Sequence, residues 1–506
     1  MEINITQLIG RTREKRLIDQ FLESDKAEFV AVTGRRRVGK TFLIREYISS
    51  QMNNKQEFYY DEQFFKVTGN KNGSMRVQLS LFQIELERVF PEIELLKPLK
   101  NWNEAFDKLF KALKKLFESN ASTSNKRFVI FLDELPWLAT KRSGLVEALD
   151  HFWNTKLSTL HNVKLIVCGS AATWMNDHLV NATGGLYNRI TRLIKLLPFS
   201  LAESEQFLKA LRAPFSRLEI IELYLAFGGI PHYLSQIDPN RSLTQNIGDI
   251  CFEGLLRDEF SRLFKSLFVK GEDYEKLIRA AAKRRSGSTM SEIAELGRYS
   301  LGGGLAGKLK ELEDSGFLES YIPLSRGEKI YRVRDPFVWF SIHWIEKGKL
   351  SKFSSGAGEQ YWTECSKTAS FKSWKGYAFE SICLDHESTI RHALGIDKIF
   401  SEVRTFRYIP KKSSKISSVE SGAQIDLLFD RADGVVTLCE VKYSSSAIEF
   451  DREMAENLKQ KMNVFAAQTK SDKRLSWALI APKGLKPNTW SEGLIDQVVT
   501  LDQLFL

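Results

Sequence analysis

No stretch of this sequence approaches the roughly 20 consecutive apolar residues that a helix needs to cross a bilayer, so no membrane span is expected. Cysteine is scarce and scattered. The five, Cys168, Cys251, Cys365, Cys383 and Cys439, form no CxxC pair, which argues against both a structural zinc site and a disulfide framework. The first residues, MEINITQLIGRTREKR, have neither an apolar signal core nor the acid-poor character of a transit peptide, so a cytoplasmic protein with reduced thiols is expected. Acid is in the minority: 63 Asp and Glu against 73 Lys and Arg leave a net charge of +10 and a pI near 9.1. A positive field raises encounter rates with phosphates, so the charge favours an anionic partner such as nucleic acid, though many basic proteins bind none. What is present is the composition of a globular chain. With 43% hydrophobic and 27% charged residues, 506 residues suffice for about three domains.

The first stretch with chemistry in it is AEFVAVTGRRRVGKTFLIREYI. Phe29–Val32 reads as a buried strand and the residues from Thr41 onward as a helix, with Gly34-x-x-x-x-Gly39-Lys40-Thr41 between them. In that context the backbone of Gly34, Arg35, Arg36, Arg37, Val38 and Gly39 wraps so that its N–H groups point at a phosphate. Lys40 would reach the β- and γ-phosphates, and the Thr41 hydroxyl would ligate Mg²⁺. A second strand, Phe128–Leu132 in RFVIFLDELPWLA, ends in Asp133 and Glu134. Asp133 would hold Mg²⁺ through water and Glu134 would orient the attacking water, so ATP with Mg²⁺ is the expected cofactor. In VKLIVCGSAATWM the polar end at Ser170 is either a sensor of the γ-phosphate or a simple turn serine. Arg189 and Arg192, in GGLYNRITRLIKLLPFS, are either charge-neutralising fingers on the γ-phosphate or solvated surface arginines. Gly228-Gly229 and Pro231, in YLAFGGIPHYL, form a turn that would let a helical lid fold over the nucleotide.

LIGRTREKRLIDQFL, GRRRVGKT, FLDELPW, CGSAATWM, LLPF and GGIPHYL, in this order, resemble the archaeal-type AAA+-related ATPases of the signal-transduction ATPase (STAND) group. The resemblance implies a P-loop ATPase core over 1–197, a helical lid over 198–268, ATP hydrolysis, and room for self-association through the ATPase domain. It also implies that Gly10-Arg11 and Glu14 begin the nucleotide domain near the base pocket and that Ser170 stands at the sensor position. About residues 50–125, a poorly patterned insertion containing TGNKNGS, it says little.

After about 270 the pattern changes to three helices and two strands joined by SRGEK, which match a winged helix–turn–helix over 269–345. Lys308 and Lys310, among Leu305, Leu309 and Leu312, would lie on the reading helix, with Arg326, Lys329, Arg332 and Arg334 in the wing. These cations either contact phosphates or belong to a domain that clamps the ATPase; Glu311, Glu313 and Asp314 on the same helix weigh against DNA. Residues 346–370 read as a polar linker and 371–506 as a small α/β domain.

In that last domain SWKGYAFESICLDHEST is a helix with Phe379 and Ile382 inward and Glu380 facing a cleft. RTFRYIPKK suggests an edge strand, SSKISSVESG a flexible loop, AQIDLLFDRADGVVTLCEVKY a hairpin, DREMAENLKQKMNVFAAQT a helix and WALIAP a strand. This order, with Glu380, Asp426 and Glu440-Val441-Lys442, resembles the PD-(D/E)xK nucleases, with Ile425 where the fullest signature has proline. The resemblance implies a restriction-endonuclease-like fold in which Asp426 and Glu440 bind Mg²⁺ or Mn²⁺, and Lys442 steadies charge or positions the water. The chemistry is consistent, because phosphodiester hydrolysis needs a hard cation clamped by carboxylates.

Strand alternation adds a geometric condition: Glu440 and Lys442 share one face of their strand, and Asp426 must join it. A two-residue turn at Asp433-Gly434 would set Asp426 opposite Val441, on the wrong face. A three-residue loop of Ala432, Asp433 and Gly434, with Gly434 left-handed, sets it opposite Glu440, and this is the expected connection. The fold class expected overall is α/β: an AAA+-like parallel sheet with helical lid, a winged helix, and a nuclease-like domain. The expected function is an ATPase that gates a metal-dependent endonuclease acting on DNA. The alternative is a regulatory ATPase switch whose last domain binds nucleic acid or protein without cutting.

Overall fold

A computed structural model describes residues 8–506 except 55–63, 94–96, 120–126, 181–185, 187, 285, 325, 326, 351–356 and 411–421. Arg326 and nearly all of the expected SSKISSVESG loop therefore lie outside the described residues. The chain divides into two compact units, Met1–Pro198 and Phe199–Leu506.

In the first unit five strands form one sheet: β1 (Glu28–Thr33), β2 (Phe65–Thr68), β3 (Phe128–Asp133), β4 (Val163–Gly169) and β5 (Arg192–Lys195). Their order is β2-β3-β4-β1-β5 and every pair is parallel. Every residue of β1, β3 and β4 is buried. Their near-continuous apolar runs are what a parallel sheet covered on both faces demands. Because all strands point one way, the residues after β1, β2, β3 and β4 emerge at a single edge, where ligands of open α/β sheets bind.

The described part of residues 50–125 is more regular than expected. After β2 they form helices Met75–Val89 and Trp102–Ser119, whose Phe82, Trp102 and Phe106 are buried together with ring centroids 5.8–5.9 Å apart. The apolar spacing of WNEAFDKLFKALKKLF has the helical period, so the helix itself is locally encoded.

The second unit begins with helices. Leu201–Ala210 and Arg217–Phe227 each start with a reciprocal serine–glutamate capping box, Ser200 with Glu203 and Ser216 with Glu219. Helices Met290–Gly297 and Gly303–Asp314 follow, beside a small antiparallel sheet of β6 (Ser288–Thr289), β7 (Leu318–Tyr321) and β8 (Ile330–Val333), ordered β6-β8-β7.

The last sheet, ordered β15-β13-β11-β10-β9, comprises β9 (Ser401–Tyr408), β10 (Ala423–Arg431), β11 (Val435–Val441), β13 (Arg474–Ile480) and β15 (Gln497–Val499). The β9-β10-β11 part is antiparallel, and β13 and β15 join in parallel. A short parallel ladder of β12 (Ile448–Glu449) and β14 (Leu485–Lys486) flanks it. Phe406, Leu438, Leu458, Phe465 and Trp477 build the core between this sheet and helix Arg452–Thr469.

The linker expected over 346–370 is not one in its second half. Residues Ala357–Cys365 are helical, and Trp362 is only 1% exposed, stacked on Phe252 at 5.5 Å between centroids. The Ser/Gly/Lys composition hid a core anchor, because one buried indole outweighs several polar neighbours in what it removes from water.

Candidate active sites

Gly34 leaves β1 with φ 146°, and a Cβ there would stand 2.3 Å from the Leu196 carbonyl oxygen, so only glycine lets the loop pass beneath the chain leaving β5. Lys40 Nζ donates to the carbonyls of Gly34 at 2.9 Å and Arg35 at 3.0 Å, which holds the ammonium inside the Gly34–Gly39 loop. Thr41 Oγ1 lies 3.1 and 3.0 Å from the two carboxylate oxygens of Asp133. A hydroxyl and a carboxylate so close are hard oxygen donors that suit Mg²⁺.

Glu134, in the left-handed region at φ 48°, turns away from the strand, and its Oε2 accepts from Ser170 N at 3.1 Å and Ser170 Oγ at 2.9 Å. Ser170 thus holds the carboxylate that would orient water. Arg11, 3% exposed, donates to Val38 O at 3.0 Å and Leu197 O at 2.7 Å, tying the start of the domain to the phosphate loop.

Residues 8–237 match the family model of an ATPase domain predominantly from Archaea. Over that stretch the chain is similar to archaeal-type ATPase domains. An uncharacterized protein of Methanocaldococcus jannaschii, MJECL04, is 26% identical over 349 residues, which are 67% of this chain and 68% of that protein. Among solved structures, the chain is similar to the Walker-type ATPase PABY2304 of Pyrococcus abyssi, at TM-score 0.42 and 18% identity over 66% of this chain and 96% of that one. It is also similar to the ORC2 protein of Aeropyrum pernix in its ADPNP-ADP complexes, at TM-score 0.43 and 13% identity over 69% of this chain and 98% of that one.

In this ATPase domain the two finger arginines do not stand at the phosphate edge. Arg192 opens β5 opposite Val30, four residues before Gly34, or about 13 Å back along the strand. Its guanidinium turns to Glu28 at 3.7 Å and Gln20 at 3.3 Å, on the far side of the sheet edge. Arg189 is exposed in the turn that enters the same end of β5. Strand direction, which local sequence does not reveal, decides this.

The second candidate site lies in the last sheet. β10 and β11 pair Leu427 with Cys439 and Asp430 with Val436, so the connection is the three residues Ala432, Asp433 and Gly434, with Gly434 at φ 85°. Continued one residue past its last pair, Leu427 with Cys439, that register places Asp426 opposite Glu440, at the point where β10 shifts register against β9 between Ile425 and Leu428. Glu440 is 8% exposed, and its two oxygens accept from Lys442 Nζ at 2.9 Å and Lys461 Nζ at 2.8 Å. Burial pushes the Glu440 carboxyl up, but the two lysines more than reverse this and leave it below the usual range.

Glu380, on helix Ala369–Asp385, is raised to about 8 by burial and by the charges of Asp426 and Glu440, against the opposing pull of Lys442 and Lys461. Asp426 Oδ1 accepts from Gln424 Nε2 at 2.5 Å. A cleft of about 370 Å³ opens beside Glu440 and Lys442, lined by Asp451, which caps the following helix, and by Glu453 and Asn457 within it. Among the described residues, no three His, Cys, Asp or Glu side chains converge at metal-ligand spacing.

Lys461 was not among the residues picked out by motif. Its signal is a lysine lying between Leu458 and Phe465, both buried, at helical spacings of three and four, which turns it toward the sheet. The cations of the β7–β8 region are largely spent within their own unit. Lys308 bonds Asp273 at 2.8 Å, Lys329 bonds Glu313 at 3.0 Å, Arg332 pairs with Glu319, and Arg334 bonds Asp385 at 2.8 Å. Lys310 is exposed. The chain after β7 also grips the edge strand β9, where Leu324 N donates to Thr405 O at 3.2 Å.

Proposed function

We propose that ATP binding and hydrolysis gate a divalent-metal-dependent nuclease in residues 371–506 that acts on DNA. The observation that supports this reading is the Glu440–Lys442 ion pair at 2.9 Å on one strand, with the charge of Glu440 and of Asp426 on the neighbouring strand felt by Glu380 of helix Ala369–Asp385. Asp426 and Glu440 would hold Mg²⁺ or Mn²⁺, since carboxylate oxygens match those hard cations. The bound cation supplies charge neutralisation at phosphorus and a water acidified toward hydroxide. Lys442 would steady the negative charge that builds up during attack, and Glu380 would shape the site's charge from the helix side.

In this reading the 269–345 region is a winged helix that docks on the nuclease-like domain through Arg334–Asp385 and Leu324–Thr405 rather than reading bases. A route for gating runs through Glu222 of helix Arg217–Phe227. Its Oε1 accepts from Lys375 Nζ at 2.7 Å and from Tyr443 Oη at 3.0 Å, and Tyr443 adjoins Lys442. The full chain is to be tested on linear, branched and single-stranded DNA with Mg²⁺ or Mn²⁺, with and without ATP. Asp426→Ala is expected to abolish cutting and leave ATP hydrolysis unchanged, whereas Lys40→Ala is expected to abolish hydrolysis and leave the fold intact. If wild type and Asp426→Ala cut alike, the nuclease reading falls.

A second reading, a STAND-type regulatory switch with a non-cleaving last domain, is favoured by one observation. Both Glu440 oxygens are already held by lysines. Absence of any cation binding at Asp426 and Glu440 would decide for it.

A further inference from the structure

The TGNKNGS segment, 68–74, left without a role by its sequence, stands beside the phosphate loop. β2 is parallel to β3 with Thr68 next to Asp133, so the chain leaves β2 at the edge where Gly34, Asp133 and Ser170 emerge. Thr68 Oγ1 is 3.5 Å from Asp133 Oδ2, and Gly69 N donates to Asp133 O at 2.9 Å. A Cβ at Gly69 would meet Glu134 O at 2.7 Å and Leu138 N at 2.9 Å, so the loop is seated on the acidic strand end without room to slide.

The loop is braced from below by Gln78, which is 0% exposed. Gln78 accepts from Asn70 N at 3.0 Å and donates to Asn70 O at 2.7 Å and Gly73 O at 3.2 Å. Gly73 N to Asn70 O at 3.0 Å and Asn72 N to Asn70 Oδ1 at 3.2 Å close the turn. Lys71 is held at the tip of this braced turn. The charge that acts on it is the Arg36 guanidinium of the phosphate loop, and burial together with Arg36 lowers the Lys71 pKa. Lys71 is exposed at this tip, and two cations near each other repel when alone but are both favoured when a polyanion lies between them.

We propose that Lys71 is a further nucleotide-binding residue, contacting the terminal phosphate of ATP from the β2–β3 side of the loop. The terminal phosphate is the one addressed because the loop is docked on Asp133 and Glu134, where the metal and the attacked phosphorus belong. This rests on the reading of residues 8–237 as a working ATPase.

The test compares wild-type full chain with Lys71→Met, Lys71→Arg and Lys40→Ala. Calorimetric binding of a non-hydrolysable ATP analogue and of ADP is measured alongside kcat and KM. Lys71→Met is expected to weaken triphosphate binding about tenfold, the equivalent of one charge-assisted hydrogen bond, to leave ADP binding within about twofold, and to lower kcat. Lys71→Arg is expected to retain most of both. Equal losses for the two nucleotides, or no loss while Lys40→Ala is inactive, overturn the assignment and leave the ATPase reading standing. Failure of wild type to bind either nucleotide overturns both.

Discussion

Replacing Lys461 by methionine tests whether Glu440 is a metal ligand, independently of any cleavage assay. Glu440 is 8% exposed and shares its charge between Lys442 and Lys461. Lys461→Met deletes one charge-assisted hydrogen bond, which is worth about 1.5–3 kcal/mol, while the methionine keeps most of the apolar packing. The Lys461 side chain retains 21% of its exposure, so solvent screening brings the expected loss down to about 1–2 kcal/mol.

The same change removes the competitor that a cation must displace from Glu440 Oε2. A cation present at about 100-fold over its Kd contributes about 2.7 kcal/mol to the native state, and the variant, with no lysine bond to break, is expected to bind it up to about tenfold tighter. Urea unfolding without nucleotide, in EDTA and in Mn²⁺, would read both effects, with Asp426→Ala as the control that binds no cation there. Destabilisation in EDTA followed by a larger Mn²⁺ rescue in Lys461→Met than in wild type is the expected result. Mn²⁺ that stabilises both equally, or neither, would refute the assignment of Glu440 as a ligand.

Two further perturbations address the hairpin and the domain core. Gly434→Ala meets no atom within 4 Å, so its cost is that of the backbone at φ 85°, about 1 kcal/mol in urea unfolding. His386 is buried in its neutral form, with Nδ1–H donating to Ile382 O at 2.9 Å and Nε2 accepting from Leu201 N at 3.2 Å. Burial, with Arg334 nearby, depresses its pKa below the ordinary value of about 6.5. Its stabilising contribution is therefore complete above about pH 6.5 and is lost as pH falls toward the folded-state value, at up to about 1.4 kcal/mol per pH unit. His386→Gln lacks this dependence while the neighbouring Asp385 is common to both proteins, so their stability difference should shrink on acidification; a constant difference would mean that His386 titrates normally.

The phosphate loop, the Asp133–Glu134 strand end and the length of the Gly434 turn were readable because each is encoded within a few residues. Glycines take the positive φ, apolar runs make buried strands, and strand alternation converts loop length into register. Arg192 stayed open between a finger and a surface residue because an arginine before an apolar strand looks the same whether that strand begins or ends at the ligand edge. Trp362 was concealed by its polar neighbours, and the helix Trp102–Ser119, though its apolar period is helical, went unread because no motif drew attention to it.

By itself, then, the sequence determined which apolar runs become the buried strands of the first sheet, where the phosphate-binding backbone lies, and that three residues connect the strands at Gly434. Only the tertiary structure decided which charges share a site. It brought Lys461 to Glu440, Lys71 to the neighbourhood of Arg36, and Arg334 to Asp385, and it took Arg192 away from the phosphate edge. The physical reason is range: periodicity and turn chemistry act between neighbours along the chain, whereas sheet order and helix docking, which place side chains from distant segments within a few ångströms, follow from burying the whole core at once.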